Sequence, residues 1–269
     1  MPELPEVETI KNELAPHVTG QLLIGVVVHD DKLLQGMPVG EFCGKLLGRK
    51  VLEINRRGKY LMFQLSGGVV LVIHLRMTGA LMLNSDVNAP YTRAVFQFGN
   101  GEQLAFVDRR RLGVMRLAGD ASEVTSKLGV EPLNKEFTVG VLAEKLRGRK
   151  APIKAVLLDQ SIVAGIGNMY ADEALFAAKI HPLKEAGDLS APEIRKLHKS
   201  IVTVLKAAIT NKGASVDTYK RPGGENGTAH YEFNVAHRRG QTCRVCGGKV
   251  DRIVVRNRGS YFCPECQKM

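Results

Sequence analysis

Short apolar runs dominate the first half of this 269-residue chain. Seven of them, rich in β-branched residues, lie at residues 22–28, 50–54, 60–65, 69–75, 80–83, 94–98 and 103–107. The turns Ser66-Gly67-Gly68 and Gly99-Asn100-Gly101 join two pairs of these runs. Short strands connected by tight turns are typical of an antiparallel sandwich rather than of a parallel sheet. We therefore predict a β-sandwich domain over residues 1–131.

A helical pattern precedes the strands. Leu4, Val7, Ile10 and Leu14 recur at helical spacing, and Pro16 predicts the end of this leading helix. Beyond residue 130 the apolar spacing becomes helical again, over residues 138–146, 152–158, 169–178 and 193–210.

These patterns together predict an α+β chain of several domains. Ser190 and Glu193 have the spacing of a capping box ahead of the longest helix. A helical domain is predicted over residues 139–233, after a linker at 131–138, and a third short domain over residues 234–269.

Composition points to a polyanionic partner. The net charge is +11, with 38 Lys and Arg against 27 Asp and Glu. Nucleic acid is the first candidate, although ribosomal contact and non-specific basicity remain open on charge alone. The chain has no Trp and 6% aromatic residues, which argues against a single-strand binder built on stacking platforms.

The chain shows no signal segment and no apolar run of the ~18 residues needed to span a bilayer. We therefore expect a cytoplasmic protein. In that compartment the five cysteines are expected to be metal ligands or reduced thiols rather than disulfides.

Four cysteines near the end of the chain have metal-ligand spacing. Cys243 and Cys246 form one C-x2-C pair, Cys263 and Cys266 form the second, and sixteen residues separate the pairs. Four thiolates at this spacing predict a closed, structural Zn²⁺ site of the ribbon type. Residues 236–269 also hold eight Lys and Arg against two Asp and Glu, which suits a ribbon that meets phosphates. Cys43 is expected to be a small packed residue.

The amino terminus carries candidate covalent chemistry. Removal of Met1 would leave Pro2 as a free secondary amine, which can attack a sugar C1′ and give an iminium directly. The positive end of the leading helix disfavours the protonated amine, whose ordinary pKa is about 7.7–8.0. The alternative is that Pro2 and Pro5 only begin a surface helix whose glutamates are solvated, and this segment alone leaves both interpretations open.

The segment Met1-Pro2-Glu3-Leu4-Pro5-Glu6-Val7-Glu8-Thr9 resembles, nearly letter for letter, the amino terminus of the formamidopyrimidine-DNA glycosylase family. Its members are bacterial repair enzymes that excise oxidised purines. The resemblance runs almost the full length of the chain, through Arg56-Arg57-Gly58-Lys59-Tyr60, His74-Leu75-Arg76-Met77, the stretch 157–173 and the cysteine ribbon. It implies a β-sandwich, a helix-two-turn-helix domain and a zinc ribbon.

The resemblance also implies site residues. Pro2 is then the nucleophile, Glu3 the acid that helps to open the sugar ring, Glu6 a supporting group and Lys59 a phosphate clamp. Met77, Arg110 and Leu112 match the side chains that fill the gap left by the extruded base. The remaining DNA-binding positions implied are His74, Lys154, Asn168, Ser215, Tyr219 and Arg258.

Three positions depart from the family pattern. Leu112 replaces the usual phenylalanine, and Ala236-His237-Arg238 stands where members commonly have Tyr-Gly-Arg. Asp217 occupies a position that is often basic, at the start of the loop that covers the flipped base. Without the resemblance, His74 would be taken as a structural histidine, Met77 as a core residue and Arg110 as part of a solvated basic face.

The function implied is that of a bifunctional DNA glycosylase and abasic-site lyase, acting on 8-oxoguanine and formamidopyrimidines in duplex DNA through a Schiff base on Pro2. One structural Zn²⁺, no nucleotide cofactor, a monomeric state and association with the nucleoid are expected. Three alternatives remain open: an endonuclease VIII-like lyase on oxidised pyrimidines, a non-catalytic DNA-binding zinc-ribbon protein, and a basic ribbon protein that binds RNA or the ribosome.

Overall fold

A computed structural model describes residues 1–269, which fold into two compact units. The first unit comprises residues 1–127 and 212–228, and the second comprises residues 128–211 and 229–269. Residues 212–228 therefore pack with the first unit, although they lie inside the helical domain predicted over 139–233. The finer division into three domains stays a prediction.

The first unit is a sandwich of two four-stranded antiparallel sheets with a leading helix. One sheet has the order β1-β6-β7-β5, and the other has the order β2-β3-β4-β8. Its strands and helices are α1 (Leu4–Val18), β1 (Leu23–Val28), α2 (Val39–Leu46), β2 (Val51–Arg57), β3 (Tyr60–Leu65), β4 (Val69–His74), β5 (Gly79–Leu83), β6 (Thr92–Phe98), β7 (Gln103–Asp108), β8 (Val114–Ala118) and α3 (Ser122–Thr125).

Burial of apolar side chains explains this arrangement. Both sheets and α1 contribute to one core, in which Ile10, Phe42, Leu61 and Phe106 have no exposed surface. The apolar face of α1 lies on this core because its buried residues recur every three or four positions.

The sequence patterns located most elements of the first unit but not all. The expected end of α1 at Pro16 is wrong, because the helix continues to Val18, which is fully buried. A proline in the last turn removes only one helical N–H bond, and burial of Val18 outweighs that loss. Strand β8 and helix α2 were not predicted. The strand follows the basic run 109–111, and Gly40 and Gly44 weaken the helical signal of α2.

The second unit contains helices and a terminal hairpin. Its elements are α4 (Val139–Leu146), α5 (Ile153–Leu158), α6 (Asn168–Ala178), α7 (Ala191–Thr210), β9 (Asp251–Val255) and β10 (Arg258–Phe262). Gln160 organises the turns between α5 and α6, because its amide accepts from Gly165 N at 2.8 Å and donates to Ile166 O at 2.8 Å. The predicted capping box is present, with Ser190 N donating to Glu193 Oε2 at 2.8 Å.

None of the helices combines the length and apolar character that crossing a membrane requires.

Candidate functional site

Pro2 is buried at the start of the first unit, immediately ahead of α1. Glu3 is the N-cap residue, and its carboxylate accepts from the backbone N–H of Glu6. The carboxylate of Glu6 in turn accepts from Glu3 N at 2.7 Å, which completes a capping box. These reciprocal bonds fix the backbone on both sides of Glu3, so the Pro2-Glu3 pair has one defined position at the positive end of the helix.

Glu6 also links the amino terminus to residues 212–228. Its side chain has no exposed surface, and Oε1 accepts from Ala214 N at 2.8 Å. Gly213 has φ +77°, and a Cβ at this position would lie 2.9 Å from Glu6 Cγ. Glycine is therefore required here both for its backbone conformation and for the close approach of Glu6.

Residues 212–228, which we term the covering loop, are held by several internal bonds. Ser215 Oγ donates to Tyr219 O at 2.9 Å and accepts from Gly227 N at 2.9 Å. Arg221 forms an ion pair with Glu13 at 2.7 Å. The loop is thus tied to α1 at Glu6 and at Glu13, two positions that the sequence did not assign to it.

Tyr219, one of the predicted DNA-binding residues, is buried. Its side chain is 5% exposed and belongs to the sandwich core, and its hydroxyl donates to Lys212 O at 3.2 Å. Burial, together with the nearby carboxylates of Glu6 and Glu13, raises the pKa of Tyr219. The residue therefore anchors the covering loop, and a DNA contact by Tyr219 stays a prediction. A DNA contact by Ser215 stays a prediction.

Lys59 and His74 lie at one end of the β2-β3-β4 sheet. Lys59 follows Gly58 in the β2–β3 turn, and Tyr60 pairs with His74 across the neighbouring strands. The His74 ring packs edge-on against Tyr60, with 4.6 Å between ring centroids.

The imidazole of His74 is neutral. Its Nδ1 accepts from Arg76 N at 3.0 Å, which leaves the ring proton on Nε2. Burial lowers the pKa of His74 to about 3, and the positive charges of Arg76 and Lys59 add to this shift. His74 is thus a neutral Nε2–H donor beside an ammonium, a pair suited to binding an anion.

The three proposed gap-filling residues lie on two loops of the first unit. Met77 is half-buried in the β4–β5 loop, whereas Arg110 and Leu112 are exposed in the β7–β8 loop. Leu112 is 41% exposed, so its apolar side chain is accessible to a ligand.

Lys154, another of the predicted DNA-binding residues, is also buried. Its side chain has no exposed surface, and its Nζ lies 2.7 Å from Asp172 Oδ1 and donates to Gly259 O at 3.2 Å. Asp172 also accepts from Tyr261 N at 3.1 Å. Lys154 stays a predicted DNA-binding residue, although its ammonium is engaged within the protein. It belongs to a buried polar group that joins α5 and α6 to β10.

Asn168 takes part in the same group. It is the first residue of α6, and Gly167 is the N-cap residue of this helix. Its Nδ2 donates to Gly259 O at 2.9 Å. A phosphate contact by Asn168 stays a prediction, supported by its place at the start of a helix.

Arg258 begins β10 and is exposed beside the hairpin turn. Arg256 and Asn257, the two residues of the β9–β10 turn, have φ values of 43° and 61°. A two-residue hairpin turn of type I′ requires positive φ at both of these positions. The turn places Arg258 next to Gly259, whose carbonyl accepts from Asn168 and Lys154. The predicted phosphate-binding arginine is thus held against the start of α6.

The four predicted cysteine ligands come together. Their sulfurs all lie within 4.8 Å of one another, with Cys243 to Cys266 at 3.9 Å and Cys246 to Cys263 at 3.4 Å. Tetrahedral Zn²⁺ with Zn–S bonds of about 2.3 Å requires sulfurs about 3.8 Å apart. The cluster therefore fits one structural zinc ion, as predicted.

The fifth cysteine does not join this cluster. Cys43 packs at the margin of the sandwich core, and burial raises the pKa of its thiol.

Two features of the second unit were not found from the sequence. Glu173 accepts from the backbone N–H groups of Asn234, Val235 and Ala236 at 2.8–3.0 Å, and so fixes the chain ahead of the ribbon. His237 has φ 60°, and its exposed ring packs on Tyr261 with 5.4 Å between ring centroids. A buried glutamate gives no periodic signal, so only the folded contacts identify it.

The sandwich with its buried amino-terminal Pro2-Glu3 pair, together with a helix-two-turn-helix and a four-cysteine ribbon, defines a DNA glycosylase that uses covalent catalysis. Sequence comparison narrows this class. Residues 1–115 match the formamidopyrimidine-DNA glycosylase N-terminal domain, residues 128–220 match the H2TH domain of the same family, and residues 240–268 match a zinc finger found in FPG and IleRS. The chain belongs to the formamidopyrimidine-DNA glycosylase family.

Individual relatives agree along the whole chain. The formamidopyrimidine-DNA glycosylase of Chloroflexus aurantiacus is 43% identical over 99% of this chain and 98% of its own length. Among solved structures, a Lactococcus lactis FPG mutant in complex with a Fapy-dG containing DNA is 36% identical, with a TM-score of 0.92 and complete coverage of both chains. The FPG protein of Thermus thermophilus is 40% identical, with a TM-score of 0.90, over 99% of this chain and 98% of that one.

Proposed function

We propose that this glycosylase excises oxidised purines, in particular formamidopyrimidines and 8-oxoguanine, from duplex DNA and then cleaves the strand at the resulting abasic site. The observation that carries the proposal is the buried Pro2-Glu3 pair, fixed by the Glu6 capping box. The similar L. lactis enzyme has been solved in complexes with DNA containing Fapy-dG and with DNA containing an abasic site, which supports both steps.

The reaction begins when removal of Met1 frees the Pro2 nitrogen. This secondary amine attacks C1′ of the damaged nucleotide, the C1′–N9 bond breaks, and the base leaves with its bonding electrons and a proton. Glu3 protonates the ring oxygen O4′, and the opened sugar is then linked to Pro2 as an iminium. Loss of a C2′ proton expels the 3′ phosphate, a second elimination expels the 5′ phosphate, and hydrolysis releases the enzyme.

The surrounding residues have separate proposed roles. Glu6 positions the Pro2-Glu3 pair and the covering loop through its two backbone bonds. Lys59 supplies a charge, and His74 a neutral N–H, to the backbone phosphates. Asn168 and Arg258 bind phosphates from the second unit. Met77, Arg110 and Leu112 fill the gap that the extruded base leaves in the stack.

A single chain carries every proposed residue, which supports action as a monomer on chromosomal DNA. Light scattering of the purified protein, alone and with one equivalent of duplex, tests this expectation.

Borohydride trapping tests the covalent step. With an abasic-site duplex, we expect one adduct whose mass equals the chain without Met1 plus the DNA, and peptide mapping should place it on Pro2. An adduct on Lys59 or another lysine would contradict the proposal. Glu3→Gln is expected to bind an abasic-analogue duplex normally and to lose base excision.

Substrate competition tests the lesion class. We expect faster single-turnover excision from duplexes with 8-oxoguanine opposite cytosine than from thymine-glycol duplexes. Preference for thymine glycol would replace the proposed substrate with oxidised pyrimidines, and the Pro2 chemistry would remain.

A further inference from the structure

Asp108 is a buried carboxylate to which the sequence assigned no role. It ends β7, has no exposed surface, and directly precedes the loop that carries Arg110 and Leu112. Burial of a carboxylate is costly unless hydrogen bonds satisfy it, so its partners identify what it stabilises.

The four bonds of the Asp108 carboxylate reach both loops that hold the gap-filling residues. Oδ1 accepts from the Thr78 hydroxyl at 2.5 Å and from Arg110 N at 3.1 Å. Oδ2 accepts from Leu112 N at 2.8 Å and from Gly113 N at 2.7 Å. Thr78 follows Met77 in the β4–β5 loop, and its hydroxyl also accepts from Arg110 N at 3.2 Å. One carboxylate thus joins the loop of Met77 to the loop of Arg110 and Leu112.

Close packing leaves this arrangement little freedom. A Cβ at Gly113 would lie 2.5 Å from Phe106 Cζ and 3.1 Å from Asp108 Oδ2. A Cβ at Gly79 would lie 2.5 Å from the carbonyl oxygen of Leu75. Only glycine allows either loop to approach its neighbours so closely.

A second acidic residue holds the β7–β8 loop from its other side. Arg111 lies between Arg110 and Leu112, has φ 57°, and forms a bidentate pair with Asp30 at 2.5 and 2.7 Å. This pair engages Arg111 within the protein, although its side chain is 46% exposed, and the exposed side chains of Arg110 and Leu112 flank it.

We propose that Asp108 is a positioning residue for base extrusion, which holds Met77, Arg110 and Leu112 in one preformed arrangement before DNA binds. The inference rests on the proposed role of these three side chains. Loops that are already ordered do not lose conformational entropy when they enter the base stack, and extrusion of the damaged base is faster as a result.

Asp108→Asn tests the proposal with almost no change in shape. In this variant an NH₂ group replaces one of the two carboxylate oxygens. Because an NH₂ group cannot accept a hydrogen bond, the groups that donate to that oxygen in the wild type lose their acceptor, and at least one loop loses its bonds. Single-turnover excision of 8-oxoguanine is expected to fall about tenfold or more, the effect of about 1.4 kcal/mol on the barrier. Strand cleavage at a preformed abasic site, which requires no base to leave the stack, is expected to fall much less. Thr78→Val removes the bonds of this hydroxyl to Asp108 and to Arg110 N but leaves the other three bonds of the carboxylate, and should give an intermediate ratio of the two rates.

Glu173→Gln is the matched control. Glu173 is also a buried carboxylate that accepts from several backbone N–H groups, but it holds residues 234–236 of the second unit. We expect this variant to lower both rates by the same factor. If Asp108→Asn lowered the rates of base excision and of strand cleavage by the same factor, the role of Asp108 would be merely structural and the inference would be overturned.

Variants of the three side chains separate this inference from the proposed function. If Met77→Ala and Leu112→Ala leave the ratio of the two rates unchanged, the gap-filling role itself is wrong. If they change the ratio and folded Asp108→Asn and Thr78→Val do not, only the role of Asp108 is wrong. Fluorescence of 2-aminopurine beside the lesion reports insertion directly and should rise more slowly in Asp108→Asn.

Discussion

At the residue scale, hydrogen-bond partners decide what a side chain can do. His74 is identified from the sequence only by resemblance, and its protonation state follows only from the folded contacts. The backbone N–H of Arg76 occupies Nδ1, and burial lowers the pKa to about 3. His74 is therefore a neutral donor at physiological pH, and its contribution to phosphate binding should not change across the neutral pH range.

His74 makes stability depend on pH. The unfolded chain binds a proton near the ordinary pKa of 6.5, whereas the folded chain does so only near 3, so the unfolded state holds more protons between these values. The stabilisation is complete above the unfolded pKa and is lost as the pH falls toward the folded one, by at most about 1.4 kcal/mol per pH unit. We expect His74→Gln to show a smaller loss of unfolding free energy between about pH 7 and about pH 5.

Urea unfolding at both pH values, with zinc present, measures this difference. Any acid-induced zinc release affects both proteins equally, so the comparison of wild type and variant isolates His74. If wild type and His74→Gln lose the same unfolding free energy between the two pH values, the imidazole of His74 is not neutral in the folded protein.

Sequence patterns located residues that repeat or cluster, whereas the burial of a single polar side chain is evident only from the fold. The Cys243-x2-Cys246 and Cys263-x2-Cys266 spacing predicted the metal cluster, because ligand spacing is local. Lys154 and Tyr219 were assigned to DNA binding, yet both side chains are buried. A lysine and a tyrosine carry no local signal of burial, because their partners lie far away in sequence, at Asp172 and Gly259 for Lys154.

At the element scale, one buried polar group docks the zinc hairpin on the helices. Lys154 on α5 and Asp172 on α6 are 0% and 1% exposed, and their partners on β10 are Gly259 and Tyr261. Burial raises the pKa of Asp172 to about 7, and the charge of Lys154 opposes this shift. Loss of either partner removes the opposite charge from a buried ion, which is costly.

We expect Asp172→Asn to lower the unfolding free energy by about 3–5 kcal/mol, because the buried Lys154 ammonium then loses the carboxylate that lies 2.7 Å away. Lys154→Met should also destabilise the protein, and the double variant should lose less than the sum of the single losses. Chemical unfolding of the four proteins forms the cycle. Glu193→Gln, which removes the partly exposed pair with Lys184, is the control and should cost less than about 1 kcal/mol.

The same cycle tests the docking of β10. If the group positions Arg258, each single variant should also weaken binding of an abasic-analogue duplex, although both side chains are buried. If the losses of unfolding free energy in the two single variants are additive and the affinity for the duplex is unchanged, the Lys154–Asp172 pair does not hold the hairpin.

At the scale of the whole molecule, the net charge of +11 predicts strongly salt-dependent binding of DNA. Only charged contacts contribute to that dependence, because they release counterions from the phosphates. The proposed phosphate ligands are of two kinds: Lys59 and Arg258 are cationic, whereas His74 and Asn168 are neutral donors. The net charge of the chain therefore reflects only the cationic ligands of the proposed phosphate interface and not its neutral donors.

Arg258→Ala and His74→Gln should therefore weaken binding in different ways. The slope of log K against log salt is expected to decrease in magnitude by about 0.9 for Arg258→Ala, because one phosphate contact loses its cation. His74→Gln should lower affinity at every salt concentration and leave the slope unchanged. Lys45→Ala removes the same charge at an exposed pair with Glu41 and should alter neither the slope nor the affinity.

Removal of zinc by a chelator should decrease the magnitude of the slope by at least as much as Arg258→Ala does, because the hairpin that holds Arg258 depends on the four-cysteine cluster. An unchanged slope in both the variant and the zinc-free protein would exclude the ribbon from the charged part of the DNA interface.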